Sequence, residues 1–378
     1  MIRLLLALTL CVSPAAAQET PEQGAPGYEA VDRDILPVVA LFYNLELGKA
    51  MKAARAIEVL HPGHPAGPFY ASVVHYERYL IEPEISTAAI AGFEFETDRC
   101  IDAAKKYKKT DPGEAHYYMG GCYGFQARMK LAMGKEFGAI RLGRKAVRHL
   151  KKARKLQPER VDAKLGLGLY DYYIAIGPKL ARPLAFLVLG LWGDRERGLE
   201  DMEHVAREGG PARYEAQTVL GLIYSTEREA RLEEAEAMLA GLEEKLPGNP
   251  MFRMIRIRVA LYAKDWEKAI RLSDPTTGWV EKINPIMRDR VRAVGWYRMA
   301  EAYILSGRVL EAEVPLGKVA SKHRPGNLPD WVKLRQAQIL EAKGEPEAAK
   351  ILRKNLPDDT KVPNDIWTFT WPPTALPD

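Results

Sequence analysis

Residues 293–325 read AVGWYRMAEAYILSGRVLEAEVPLGKVASKHRP, and the order of side-chain sizes in this stretch decides the fold. Trp296, Met299, Ala300 and Tyr303 recur at the three- and four-residue steps that place side chains on one helix face. Ser306-Gly307 interrupts the run, and Ala312, Leu316 and Val319 resume the period before Pro325 ends it. Small Ala300 and Ala312 let two antiparallel helices approach closely while Trp296, Tyr303 and Leu316 interlock around them. Pro315 falls inside the second run, where it lacks an N–H and is expected to kink the helix.

Counted from Ala293, these residues occupy positions 4, 7, 8, 11, 20, 24 and 27 of one frame, which resembles the tetratricopeptide (TPR) repeat. Neighbouring segments follow the same logic less regularly. Gly221 and Tyr224 take positions 8 and 11 of a second unit, with Ala235 two residues late and Pro247-Gly248-Asn249-Pro250 closing it. A unit from Met251 carries Tyr262, Trp266 and Ala269, and one from Asp330 carries Ala337, Leu340, Gly344 and Ala349. Upstream, Ala115 to Pro158 reads as a longer helix pair, and residues 41–60 and 70–108 as further helices. Strand-like alternation is almost absent. The expected fold is all-α, a TPR-like α-solenoid of about six to seven antiparallel helix pairs over residues 34–357, enough to support itself.

Residues 165–250 carry a narrower likeness. Leu169-Tyr170-Asp171-Tyr172-Tyr173, the Gly177-Pro178 break, Gly193-Asp194-Arg195 with Gly198-Leu199, and then Tyr224, Leu246-Pro247, Asn249-Pro250 and Phe252 resemble the central segment of Iml-type TPR proteins and of exported bacterial proteins like them. That resemblance implies a repeat fold and names no catalytic residue. In physical terms Gly193 ends one helix, Asp194 caps the next, and Gly198 permits close packing. The apolar insert 177–193 is too short to span a membrane and is expected to fold back into the solenoid.

Both ends depart from the repeat. Arg3, the apolar run Leu4 to Val12, the Ser13-Pro14 break and Ala15-Ala16-Ala17 have the layout of a secretory signal peptide over residues 1–17. A flexible segment over 18–33 is expected to follow, and the location is periplasmic or otherwise exported. No later stretch reaches about 18 uncharged apolar residues. Residues 358–378 lose helical period and gain proline, with Trp367, Phe369 and Trp371 spaced to cap the last repeat. The formal charge of +5 is too small a bias for a nucleic-acid binder.

The residues that carry chemistry point away from an enzyme. No hydrolase elbow, metalloprotease, phosphate-loop or dinucleotide pattern occurs, so no catalytic residue and no cofactor are expected. Gly166-Leu167-Gly168 lies in a helical stretch and is read as a packing site. Glu233-Glu234 and Glu243-Glu244 are read as solvated faces. His61, His64 and His75 read as turn and helix residues rather than a metal site, which needs three or four oriented ligands. Cys100 and Cys122 each stand eleven residues from Asp111 in the Thr110-Asp111-Pro112-Gly113 break, at equal height on facing helices, and are expected to form a disulfide.

Binding candidates remain. Arg141, Arg144, Arg148 and Lys152 form a basic stripe on one helix, opposite Ala146, Val147, Leu150 and Ala153, suited to an acidic partner or an anionic envelope surface. A second basic face draws on Arg253, Arg256, Arg258, Arg288, Arg290 and Arg292. Docking of a protein or peptide partner along the concave surface would use Tyr170, Tyr173, Tyr224, Arg256, Tyr297 and Arg298. The expected function is thus an exported, non-enzymatic scaffold. The alternative is a peripheral envelope factor acting through the basic helix and the apolar insert.

Overall fold

Eight helical hairpins follow one another in the computed structural model, which describes residues 27–82, 86–176, 192–319 and 328–354, with Leu356. They are α1 (Tyr28–Tyr43) with α2 (Leu47–Leu60), α3 (Ala66–Ile81) with α4 (Ser86–Tyr107), and α5 (Pro112–Ala132) with α6 (Glu136–Leu156). Next come α7 (Ala163–Ile176) with α8 (Arg195–Glu208), α9 (Arg213–Tyr224) with α10 (Leu232–Lys245), and α11 (Pro250–Tyr262) with α12 (Trp266–Ser273). The last two hairpins are α13 (Arg288–Leu305) with α14 (Glu313–Gly317), and α15 (Leu328–Ala342) with α16 (Pro346–Lys354). Each helix packs on its neighbours in sequence, and no strand occurs among the described residues. The chain is an all-α solenoid with one or two more hairpins than expected. Among the described residues no helix is long and apolar enough to cross a membrane.

One backbone turn recurs through the stack. In five hairpins a three-residue turn closes with the same bond, an N–H donated to the carbonyl five residues earlier: Glu46 to Leu41, Lys135 to Lys130, Asp265 to Ala260, Arg308 to Tyr303 and Glu345 to Leu340, each at 2.8–2.9 Å. This is the Schellman closure, and it needs a left-handed residue just before the donor. Gly134, Gly307 and Gly344 supply it at φ +69°, +85° and +79°, whereas Leu45 and Lys264 adopt it at +58° and +57° without the freedom of glycine. Side-chain caps start the following helices. Asp111 accepts from the Glu114 N–H at 2.9 Å, Asp194 from Arg197 at 3.0 Å and Asp265 from Lys268 at 3.1 Å.

The unit at residues 293–325 packs as its spacing predicts, with Trp296, Ala300, Ala312, Leu316 and Val319 in the core. Pro315 acts as expected: the chain runs as a 3₁₀ turn over Val309–Ala312 before five residues of α-helix. Gly168 and Gly198 bring α7 and α8 into backbone contact, since a Cβ on Gly198 would lie 2.7 Å from the Tyr172 nitrogen and 2.8 Å from the Gly168 oxygen. Cys100 on α4 and Cys122 on α5 are joined as a disulfide across 6.9 Å between Cα atoms. The 1–17 segment, most of the 177–193 insert and the 358–378 tail lie outside the described residues.

One feature departs from an open stack. Residues 28–33, assigned above to a flexible segment, are the first turns of α1, and Val31, Ile35, Val38, Val39 and Phe42 bury one face of that helix. The solenoid curls until it meets this helix. Asn44 Oδ1 accepts from the Gly248 N–H at 2.7 Å, Asn249 Nδ2 donates to the Tyr43 carbonyl at 2.9 Å, and Asn284 Nδ2 donates to the Leu45 carbonyl at 2.8 Å. Therefore α1 lies along the inner side, between the α3–α5 wall and the loops near residues 248 and 284.

Candidate binding cavity

What α1 leaves open inside the curl is a cavity of about 390 Å³, walled by α1, α3, α5, α6, α7 and the start of α9. Nine aromatic side chains line it, among them Phe42, Phe69, Tyr70 and Phe125. Its width comes from glycines on the facing helices. Gly120 and Gly166 sit against Leu150, and Gly121 against Phe69, at distances that leave no room for a Cβ. Gly124 and Gly143 are different: a Cβ on Gly124 would meet only Ala146 at 4.0 Å, and one on Gly143 would meet nothing within 4 Å.

Charge enters the cavity at two places. At one end Arg128 lies over the rings of Phe125 (5.0 Å) and Tyr76 (5.5 Å) and pairs with Glu215 at 2.7 Å, while the Tyr43 hydroxyl also donates to Glu215. The Arg128 side chain is 44% exposed and lines the cavity. Glu77 stands within electrostatic reach of Arg128 and Glu215 and makes no hydrogen bond or ion pair among the described residues. Burial pushes its carboxyl up to about 7, with Arg128 acting in the opposite direction.

At the other end Asp162 lines the cavity, and behind it, outside the lining, lies Arg160, whose guanidinium is buried. It binds Asp32 with two bonds of 3.1 and 3.2 Å, stands 3.0 Å from Glu114, and lies over the rings of Tyr117 (4.0 Å) and Tyr28 (4.7 Å). Asp162, beside it, accepts the Gly210 N–H at 2.8 Å. Three carboxyls thus surround one cation, and burial raises Asp32 and Glu114 to about 7 against the lowering pull of Arg160. His64 Nδ1 accepts the Ala66 N–H at 3.2 Å, so the neutral ring turns Nε2–H toward Glu114, 3.6 Å away. Burial and the nearby Arg160 hold this imidazole down to about 3. The arrangement ties α1 to the α6–α7 loop, and nothing in it resembles a nucleophile with its base.

The predicted binding residues divide. Tyr170 and Tyr173 line the cavity. Tyr224, Tyr297 and Arg298 do not reach a surface. Tyr224 is 2% exposed and donates to Glu203, and Tyr297 and Arg298 are buried beside Glu301. They occupy core positions of their hairpins, where large side chains fill the gap between helices. Arg256 is held between Glu236 and Glu243 at 2.7 and 2.6 Å. Most of the second basic face is neutralised in the same way, with Arg253 and Arg256 sharing Glu243 and Arg288 and Arg292 near Glu281, while Arg258 is buried and donates to Ser225. Glu243 is therefore a bridge and not a solvated charge.

Arg141, Arg144, Arg148 and Lys152 on α6 are all exposed and, among the described residues, pair with no carboxylate. At the tip of the same hairpin Phe137 is 91% exposed and Leu131 58%. His61 pairs with Asp34 at 2.8 Å and His75 abuts Gly92, so the three histidines serve separate contacts. Among the described residues no group of three or more His, Cys, Asp or Glu side chains is placed to hold a metal. Against known proteins, no family model matches the sequence and no curated protein matches it.

Proposed function

We propose that this chain is an exported, non-enzymatic scaffold of tetratricopeptide type that receives a partner's group into the inner cavity. The observation that carries this reading is the pair Gly124 and Gly143. A glycine inside a helix costs roughly 0.5–1 kcal/mol relative to alanine, and no neighbour here excludes a methyl group. Their bare backbone keeps open a space that a leucine at either position would fill. Export rests on the layout of residues 1–17 and agrees with the Cys100–Cys122 bridge. Because α1 runs along the inner side, an extended peptide has no free groove to lie in. A protein or peptide partner therefore reaches the cavity with a side chain or a terminus. The test is native mass spectrometry of the mature chain purified from envelope extract, beside Gly124→Leu and Gly143→Leu. A bound species held by the natural chain and lost from both variants supports the reading, and a bare chain in every sample rejects it.

The envelope-association reading is favoured by a separate observation, the exposed Phe137 and Leu131 beside the cationic stripe of α6. Flotation with anionic vesicles tests it. Binding released by salt and weakened in Phe137→Ala and Arg144→Glu supports the reading, and a wholly unbound chain counts against it.

A further inference from the structure

We propose that the cavity takes an uncharged aromatic side chain of the partner, about two rings in size, and turns charged chain ends away; this rests on the reading of the cavity as the binding site. Of the residues that line it three are charged, and each is already engaged. Arg128 and Glu215 pair at 2.7 Å, and the Tyr43 hydroxyl donates to the same carboxylate. Asp162 accepts the Gly210 N–H at 2.8 Å and has the buried Arg160 behind it. A partner's terminal carboxylate or ammonium would therefore leave water for a site with no counter-charge to spare, and burying a charge unpaired is costly. Most of the remaining lining is carbon. Between a side chain and a terminus, the walls favour the side chain.

The rings of the lining decide which kind of side chain. Phe69 lies edge-to-face with three neighbours: Tyr70 (centroids 5.1 Å apart, planes at 80°), Tyr118 (5.4 Å, 73°) and Phe125 (5.6 Å, 78°). All four line the cavity, and on the α1 wall Phe42 and Tyr43 meet in the same way at 4.9 Å and 82°. Such contacts set the positive rim of one ring against the negative face of the next. A guest ring extends this array, whereas a saturated guest of equal size gains only the burial of its area. Size sets the limit. An apolar cavity of about 150 Å³ holds one benzene ring. The present one, at about 390 Å³, therefore takes two fused rings with a short stem, the dimensions of a tryptophan side chain. The bare backbone of Gly124 and Gly143 leaves that room.

Four compounds separate charge, ring character and shape: 2-(2-naphthyl)ethanol, 2-naphthylacetate, 2-(2-naphthyl)ethylamine and the saturated 2-(2-decalyl)ethanol, each titrated by calorimetry into the full mature chain. The naphthyl alcohol is expected to bind more tightly than the acetate and the amine by a factor on the order of ten or more. It is expected to exceed the decalyl alcohol by about threefold to tenfold. This ranking is read on the natural chain and needs no variant to fold. Gly124→Leu and Gly143→Leu should abolish binding of the naphthyl alcohol, and unchanged binding in both places the compound elsewhere and overturns the proposal. A charged compound that binds as tightly as the alcohol overturns the exclusion of charge, and an equal decalyl alcohol overturns the preference for rings. A blocked acetyl-Ala-Trp-Ala-amide peptide, competed against the naphthyl alcohol, tests the source. Displacement supports a partner's side chain, and its absence assigns the site to a free aromatic compound and overturns that source. If none of the four binds while native mass spectrometry still finds a species on the chain, this inference falls and the cavity reading stands. A chain that is bare in both experiments loses both.

Discussion

Replacing Arg160 by leucine removes the guanidinium that Asp32, Glu114 and Asp162 share and should be the most damaging single change in the N-terminal half. The natural side chain holds two bonds to Asp32, an ion pair to Glu114 and two ring contacts, all out of solvent. Removing one partner of a buried ion pair costs about 3–5 kcal/mol, because the stranded charge has neither water nor a counterion. Against a total stability of roughly 5–15 kcal/mol, that is a large fraction.

The cost must depend on pH. Asp32, Glu77 and Glu114, held up to about 7, keep protons in the folded chain that the unfolded chain has already released. The stability they contribute is therefore complete below the unfolded carboxyl range, near pH 4, and is lost as pH rises through about 7. His64, held down to about 3, works the other way, its penalty disappearing as pH rises from about 3 to 6.5. Above about pH 6.5 the carboxyl slope stands alone, so the natural chain should lose stability from there to about pH 8, and Arg160→Leu should lose it more steeply. Near pH 5 the stranded carboxyls are neutral and the cost of the variant should shrink to about 1–2 kcal/mol of lost hydrogen bonds and ring contacts. Urea unfolding followed by circular dichroism at pH 5, 6.5 and 8 measures this. A cost that is the same at pH 5 and pH 8, or below about 1 kcal/mol at both, refutes the electrostatic account.

Other changes test other links of the fold. Cys100→Ser with Cys122→Ser should lower stability by about 3 kcal/mol, the loop-closure value for a 22-residue separation, and non-reducing peptide mapping of the natural chain should find the two cysteines linked. Gly198→Ala should cost about 1–3 kcal/mol in urea unfolding, because its methyl group meets backbone atoms of α7 that cannot turn aside. Lys264→Gly should raise stability by about 0.5–1 kcal/mol, since the exposed residue holds φ +57° in a turn where three sister hairpins use glycine; an unchanged midpoint would show that the left-handed turn carries no penalty there.

The hairpin repeat was legible because helix period, small-residue contacts and turn glycines are all local, and they agree at residues 293–325. The Asp194 cap, the Gly198 contact and the Cys100–Cys122 pairing were legible for the same reason: each follows from spacing along one or two neighbouring helices. The place of α1 was not. Its apolar stripe, Val31, Ile35, Val38 and Phe42, is written at helical spacing, but Glu29, Asp32, Arg33 and Asp34 among those residues look solvated when read in one dimension. The partner that makes Asp32 an interior residue is Arg160, 128 positions later. Tyr224, Tyr297 and Arg298 were misplaced for a related reason. In a curled stack an aromatic residue on a first helix points either into the groove or between helices, and a single sequence does not separate the two. Glu77 and the pairing of His116 with His149 across 2.8 Å had no local signal at all.

The modest formal charge of +5 hides an uneven distribution. Outside, α6 carries Arg141, Arg144, Arg148 and Lys152 without partners among the described residues. Inside the curl, Arg128 paired with Glu215 and Asp162 held by the Gly210 N–H line an otherwise largely apolar cavity, and the low dielectric makes each charge count for more than it would on the surface. Such a separation is costly, because every buried carboxyl must be paired or protonated, and an apolar lining would fill the same space without that penalty. The two faces of one wall also allow two contacts at once, an anionic surface or acidic partner against α6 and a partner's group within the cavity. The two contacts share α6, whose Gly143, Ala146 and Val147 face the cavity while its arginines face out. Weakening the outer stripe with Arg144→Glu should therefore lower vesicle binding and leave occupancy of the cavity, read by native mass spectrometry, unchanged, whereas Gly143→Leu should do the reverse. If either substitution moves both measurements, the two faces are not independent and the separation of charge has another cause.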